Sequence, residues 1–205
     1  CILVIEKEGV YTRLSEDKFF LKYYPCILIT GKGFPDVATR QWVQHLQHVL
    51  QLPVYGLCDC NPYGVSVLNT YHYDQVTRHQ SRSNTTVSSS TRRRSPLELQ
   101  WIGLRPSQIS ALDLPPTVFQ QLTSLDKKRL EPLSHNSHPF HQQGWHPQQR
   151  LAELHLFEEN GYKVELEALN WKGMDFLCQW VHSILVQQEQ HALVAGTQDD
   201  SNHII

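Results

Sequence analysis

Glu6, Asp59 and Asn61 are the residues of this sequence whose types and positions suit metal chemistry. Glu6 closes the apolar run 1–5, and Asp59 closes the apolar run 54–58, with Asn61 two residues on. Magnesium takes hard oxygen ligands, uses few carboxylates and keeps several waters. One Glu, one Asp and an amide oxygen meet that need. The bland alternative is a solvated strand end or a helix cap, and spacing alone leaves both open. One further residue could face an anion. Lys32 lies between Gly31 and Gly33, where small residues let backbone approach a phosphate, although a plain tight turn has the same pattern. Arg40 lies four residues after Asp36, at a spacing that equally allows the two to pair on one helix face.

These side chains need elements to position them. Residues 1–5 and 26–30 read as buried strands, and 54–58 as a third, each apolar and rich in β-branched residues. Between the first two lies a polar helical stretch through Tyr11, Leu14 and Phe19, closed by Pro25. From Asp36, a plausible N-cap, apolar residues at Val37, Trp42, Val43, Leu46, Val49 and Leu50 predict a helix. Pro62 stands where a first helical turn would begin. Alternating strands and helices at this pitch imply a mostly parallel α/β sheet, whose ligands bind outside the carboxyl ends of the strands. Glu6, the Gly31–Gly33 loop and Asp59 all fall there.

Farther along, residues 74–97 are Arg-, Ser- and Thr-rich and read as a disordered insertion. Order resumes at 99–103. Residues 131–148 read as a second irregular stretch, followed by a short helix ending near Gly161. Residues 163–168 are expected to be a fourth strand. Phe176, Leu177, Trp180, Val181, Ile184 and Leu185 predict an amphipathic helix, and 186–205 a loose tail.

Composition narrows the function classes. A net charge of −2 is not that of a stand-alone DNA-binding module, so any nucleic-acid contact needs a local patch, a metal or a partner. No apolar run approaches the ~20 residues that span a membrane. Five cysteines without disulfide-like spacing read as reduced and intracellular. Cys58 and Cys60 flank Asp59 and are taken as packing residues; Trp101, Trp171 and Trp180 are expected in the core. Arg92 to Arg94 read as a solvated loop, with a nuclear-import or phosphate-binding role as the sharper alternative. His135, His138, His141 and His146 do not fit zinc spacing.

Several segments together carry a resemblance. They are 4–10 (VIEKEGV), 30–36 (TGKGFPD), Thr39-Arg40, and 59–64 (DCNPYG), then 70–73 (TYHY), 101–104 (WIGL) and 163–169 (KVELEAL). In this order they closely resemble the Toprim domain of the topoisomerase VI A subunit family, nearest its eukaryotic branch, the meiotic double-strand-break transesterases. The resemblance spans roughly residues 2–185 and implies a Rossmann-like Toprim fold of about four strands flanked by helices. Glu6 matches the Toprim glutamate, and Asp59 the first aspartate of its Asp-x-Asp pair; both bind Mg2+ in the family. Asn61 replaces the second aspartate, which puts a two-metal site in doubt. The resemblance also gives Lys32 and Arg40 a DNA-facing role.

It further implies a topoisomerase of the type IIB, ATP-linked class, acting in the nucleus. The family reaction is attack by a tyrosine on DNA phosphate. That tyrosine belongs to a winged-helix domain preceding the Toprim domain, and it is expected to lie outside this chain. Tyr63, Tyr71 and Tyr73 match structural positions instead. Expected partners are DNA, a second copy or an A-type paralogue, and a topoisomerase VI B-like subunit. A complete Toprim nuclease and a non-catalytic dimerising scaffold are the rival readings; the 31–40 and 163–169 segments argue against the nuclease.

Overall fold

A computed structural model describes residues 1–73, 97–134 and 147–199 of the chain, with side chains for 1–71, 97–134 and 147–191. Four parallel strands form the main sheet: β1 (Ile2–Ile5), β2 (Ile27–Thr30), β3 (Val54–Leu57) and β4 (Leu99–Gly103), in the order β2-β1-β3-β4. Register runs Ile2 against Ile27, Ile2 against Val54 and Val54 against Leu99. Every residue of β1 and β3 is buried, as expected for central strands covered on both faces. This is the α/β Toprim architecture that the sequence predicts.

The helices fall between the strands. α1 (Glu8–Glu16) and α2 (Phe19–Lys22) link β1 to β2, α3 (Val37–Leu50) links β2 to β3, and α4 (Pro62–Tyr73) follows β3. The Asp36 carboxylate accepts from the Thr39 N–H at 2.7 Å and caps α3. Beyond β4 come α5 (Pro106–Ile109), β5 (Gln120–Gln121), α6 (Ser124–Ser134), α7 (Pro147–Asn160), β6 (Tyr162–Lys163) and α8 (Phe176–Asp199). The core is contiguous. Leu3, Val4, Leu57, Leu68, Ile102, Phe157, Leu166 and Val181 are among its buried members.

Several expectations are corrected. The fourth parallel strand is β4, not residues 163–168. Only Tyr162–Lys163 of that region is strand, and it runs antiparallel to β5. Leu166–Lys172 is a 3-10 helix. The alternation in 163–168 is real, but Val164 and Leu166 are buried against the end of β3 instead of extending the sheet. β2 is an edge strand with Ile27 36% exposed, because an apolar run carries no record of whether one neighbour or two will flank it. Trp171 is 68% exposed and is not core, whereas Trp101 is buried and Trp180 packs partly buried against the core.

Residues 131–134 belong to α6, and the helix before Gly161 begins at Pro147. α8 runs through Asp199, past the expected start of a tail at 186. The expected insertion, with Arg92 to Arg94, and the histidines 135, 138, 141 and 146 lie outside the described residues, except that Leu97 is buried. No helix among the described residues is long and apolar enough to cross a membrane.

α4 packs tightly against the end of β3. A Cβ placed on Gly64 would stand 2.9 Å from Cys58 Cβ and 3.0 Å from the Asp59 carbonyl oxygen. The carbonyl is backbone and cannot swing aside. Gly64→Ala gains up to about 1 kcal/mol of helix propensity but meets an overpacking cost of about 1–3 kcal/mol. The variant is expected to be less stable in urea denaturation than the wild type.

Candidate metal centre

The chain leaves β1 for the edge at β2 and returns to β3 on the other side of β1. The strand order therefore reverses between β1 and β3, and their carboxyl ends form a topological switch point. Glu6 is the first residue after β1 and Asp59 the second after β3. Both are buried, 7% and 5% exposed. The Asp59 backbone N–H donates to Glu6 Oε2 at 3.2 Å, which ties the two strand ends together. A ladder irregularity at Gly56/Leu57 precedes the site, and the Cys58 N–H donates to the Gly103 carbonyl at 2.8 Å. Cys58 and Cys60 on either side of Asp59 are buried free thiols, as expected.

A second segment closes the site from above. Cys60 and Val164 exchange backbone hydrogen bonds of 2.9 and 3.0 Å. That bridge brings the Leu166 N–H to Asp59 Oδ1 at 2.8 Å. It also carries Glu165 and Glu167 to the rim, where they meet the Lys7 ammonium at 3.3 and 2.7 Å. Lys7 stands 3.9 Å from Asp59 Oδ2 as well. Sequence reasoning gave no role to Lys7, Glu165 or Glu167. Their signals were present, a cation directly after Glu6 and a Glu-x-Glu pair, but nothing local joins segments 158 residues apart.

Burial dominates the electrostatics. Desolvation, aided by the Asp59 charge, raises Glu6 to about 7. Desolvation likewise raises Asp59 to about 6, against the opposing pull of the Leu166 N–H and Lys7. Partial burial works against the Lys7 ammonium, but Glu167, Asp59 and Glu165 more than offset it and hold its pKa above the ordinary value.

The donor chemistry fits one hard divalent ion. Two buried carboxylates each have one oxygen bonded to a backbone N–H, so Glu6 Oε1 and Asp59 Oδ2 are the oxygens outside those two bonds. Magnesium commonly uses one or two carboxylates and fills its remaining positions with water. Among the described residues, no group of three or more His, Cys, Asp or Glu side chains is placed to hold a metal. Asn61 does not add a third carboxylate. Its Oδ1 accepts from the Gly64 N–H at 2.6 Å, which is an N-cap of α4 with Pro62 in the first helical position.

The flanking loop sits on the same strand end, through a 2.8 Å bond from the Gly33 N–H to the Glu6 carbonyl. Lys32 is in the left-handed region (φ 54°) and Gly33 has φ 97°. The exposed Lys32 ammonium is 2.8 Å from Glu8 Oε1. Arg40 Nε donates to the Asp36 backbone carbonyl at 3.3 Å. Beside this loop, Phe34 and Tyr63 pack edge to face with centroids 5.1 Å apart. Arg129 from α6 lies over both rings, 5.1 Å from Tyr63 and 5.9 Å from Phe34. Arg129 was missed because it is one of three basic residues in a row on a helix, and sequence does not tell which one turns inward. The Tyr71 hydroxyl is buried beneath Gly31, and burial raises it to about 12.

Two outcomes follow for metal-free protein. The folded pKa of Glu6 is raised, so the folded state binds more protons than the unfolded one. Stability is therefore expected to fall as pH rises from about 4.5 to about 7, by order 3 kcal/mol at ~1.4 kcal/mol per pKa unit. Glu6→Gln should flatten that slope in chelator-treated thermal melts. Asn61→Ala should lower stability by about 0.5–2 kcal/mol through the lost cap, whereas Asn61→Asp keeps it; paired urea titrations check both.

Comparison with known proteins places this arrangement. The family model for the Toprim domain of Spo11 and the topoisomerase 6 A subunit matches residues 1–182. Meiotic recombination protein SPO11-1 of Arabidopsis thaliana is 36% identical over 87% of this chain and 45% of its own length. Meiotic recombination protein SPO11 of Mus musculus is 30% identical over 86% of this chain and 41% of its own. The DNA topoisomerase 6 A subunit of Arabidopsis thaliana is 30% identical over 92% and 40%. The chain thus spans less than half the length of these relatives. With nearly its whole length covered by one family model, the chain belongs to the Toprim domain family of Spo11 and the topoisomerase 6 A subunit.

Proposed function

We propose that this chain is the magnesium-binding Toprim part of a DNA transesterase that makes meiotic double-strand breaks through a tyrosine–DNA phosphodiester. The observation that carries the reading is the convergence of buried Glu6 and Asp59 at the switch point. Glu6 and Asp59 would hold the magnesium ion, which would supply positive charge at the scissile phosphate and the leaving oxygen. Asp59 is oriented by the Leu166 N–H and Glu6 by the Asp59 N–H, so both carboxylates are preorganised before any ligand arrives. Lys32 on the loop after β2, Arg40 on α3 and Arg129 on α6 are assigned to DNA phosphate; Asn61 is assigned to holding α4, with at most a water-mediated contact to the ion.

The attacking tyrosine is assigned to a winged-helix segment outside these 205 residues. Tyr71 has a buried hydroxyl with a raised pKa, and the Tyr63 ring packs edge to face on Phe34 with Arg129 over it. Neither is a poised nucleophile. A double-strand break needs two tyrosines, so the working form pairs this chain with a second copy or an A-type paralogue. Action in the nucleus, together with a topoisomerase VI B-like subunit, completes the reading. A non-catalytic scaffold is the alternative that the diversion of Asn61 to helix capping favours.

Calorimetry with magnesium tests the assignment. Glu6→Gln and Asp59→Asn should each weaken binding by at least about ten-fold, the loss typical even of groups one shell from a metal. Unchanged affinity in both variants would overturn the metal site. On a DNA duplex, the wild-type chain should bind without forming a covalent adduct, and Arg129→Ala should reduce the salt slope of binding by about 1.

A further inference from the structure

We propose that Lys7 is a DNA-phosphate contact of this site, and that in the free chain Glu165 and Glu167 hold its ammonium until a backbone phosphate takes their place. The inference deepens the DNA reading given above and rests on it. Lys7 occupies the N-cap position of α1 with an extended backbone (φ −97°, ψ 126°), yet its side chain makes no capping hydrogen bond. The side chain runs instead to the rim of the site. Its Nζ is 2.7 Å from Glu167 Oε1, 3.3 Å from Glu165 Oε2 and 3.9 Å from Asp59 Oδ2. The last distance sets this cation beside the carboxylate pair. A phosphate brought up to that pair therefore comes within reach of Lys7.

The contact with the two glutamates is built to exchange. The Lys7 side chain is 35% exposed, and those of Glu165 and Glu167 are 48% and 42% exposed, so all three reach solvent. Ion pairs at that exposure are weak, and both partners are readily solvated again. Their release disturbs little. Asp59 is oriented by the Leu166 backbone N–H, a bond that does not depend on where the Glu165 and Glu167 carboxylates point. A lysine head carries three donors and no acceptor, so it trades carboxylate oxygens for phosphate oxygens without losing a charged partner. The flanking loop repeats the pattern, with the exposed Lys32 ammonium 2.8 Å from Glu8 Oε1. A chain of net charge −2 thus keeps both lysines covered by its own acids in the free state. Glu165 and Glu167 then compete with DNA for Lys7, and removing them should strengthen DNA binding through that residue.

Fluorescence anisotropy of the 205-residue chain on a short DNA duplex in magnesium, arranged as a mutant cycle, decides this. Lys7→Met, which keeps the apolar stem, should weaken binding roughly three- to ten-fold and lower the salt slope by about 1, and Lys7→Arg should recover most of the loss. Glu165→Gln combined with Glu167→Gln should tighten binding roughly three- to ten-fold, and the same pair added to Lys7→Met should give much less of that gain. Lys7→Gln serves as a second variant, and thermal melts show that a folded chain is titrated. An equal gain with and without Lys7 would mean that the two acids only repel DNA at a distance, and would overturn the inference. An unchanged salt slope in the folded Lys7→Met and Lys7→Gln chains would overturn it as well. Both results leave the DNA reading standing. A wild-type chain that bound no duplex would overturn the DNA reading, and this inference with it.

Discussion

The carboxylates of Glu6 and Asp59 are held out of water at the meeting point of β1 and β3, and this costly burial organises the structure around it. A carboxylate in such a place must be bonded, neutralised or paired. The chain applies all three remedies. Backbone N–H groups bond one oxygen of each acid, desolvation raises both pKa values toward neutrality, and Lys7 provides a partial counter-charge. The arrangement keeps two acids close together, at a cost that a nearby positive charge would lower. Preorganisation of the two carboxylates and their cost to stability are here one property.

That property makes demands on distant parts of the chain. The Leu166 N–H reaches Asp59 only because Val164 bridges Cys60, and that bridge continues from the short β5-β6 pair. α4 must approach the Asp59 carbonyl closely, which Gly64 allows and the Asn61 cap enforces. The Gly31–Gly33 loop is pinned to the Glu6 carbonyl, with two residues at positive φ. Segments that look separate in sequence are thus co-dependent through a few backbone hydrogen bonds at one strand end.

The asymmetry of the sheet also has a consequence. β1 and β3 are fully buried, while β2 is an open edge and α3 leaves Trp42, Val49 and Leu50 exposed beside His45. The cationic and aromatic residues around the site, Lys32, Phe34, Tyr63 and Arg129, lie on the loop after β2, the start of α4 and on α6. The site's rigid floor therefore comes from the sheet centre, and its adaptable rim from loops and helix ends, the usual division between scaffold and recognition surface.

Sequence by itself determined the elements whose signal is local. β1, β3 and the Asp36-capped helix lie where apolar runs, periodicity and capping residues placed them, within a residue or two. The positions of Glu6 and Asp59 at strand ends followed from those runs. The family resemblance rested on short segments whose order survives any fold. Tertiary structure decided what depends on partners. An apolar run does not say whether a strand will be central or at an edge, so β2 was read as more buried than it is. Alternation in 163–168 does not separate a sheet strand from a segment that docks two residues and turns. Asn61 was assigned by its place in a motif, but the nearest N–H, that of Gly64, claimed its oxygen. The convergence of Lys7 with Glu165 and Glu167 belongs to the fold alone. Charges 158 residues apart become neighbours only after the backbone between them has closed, and no local propensity records that distance.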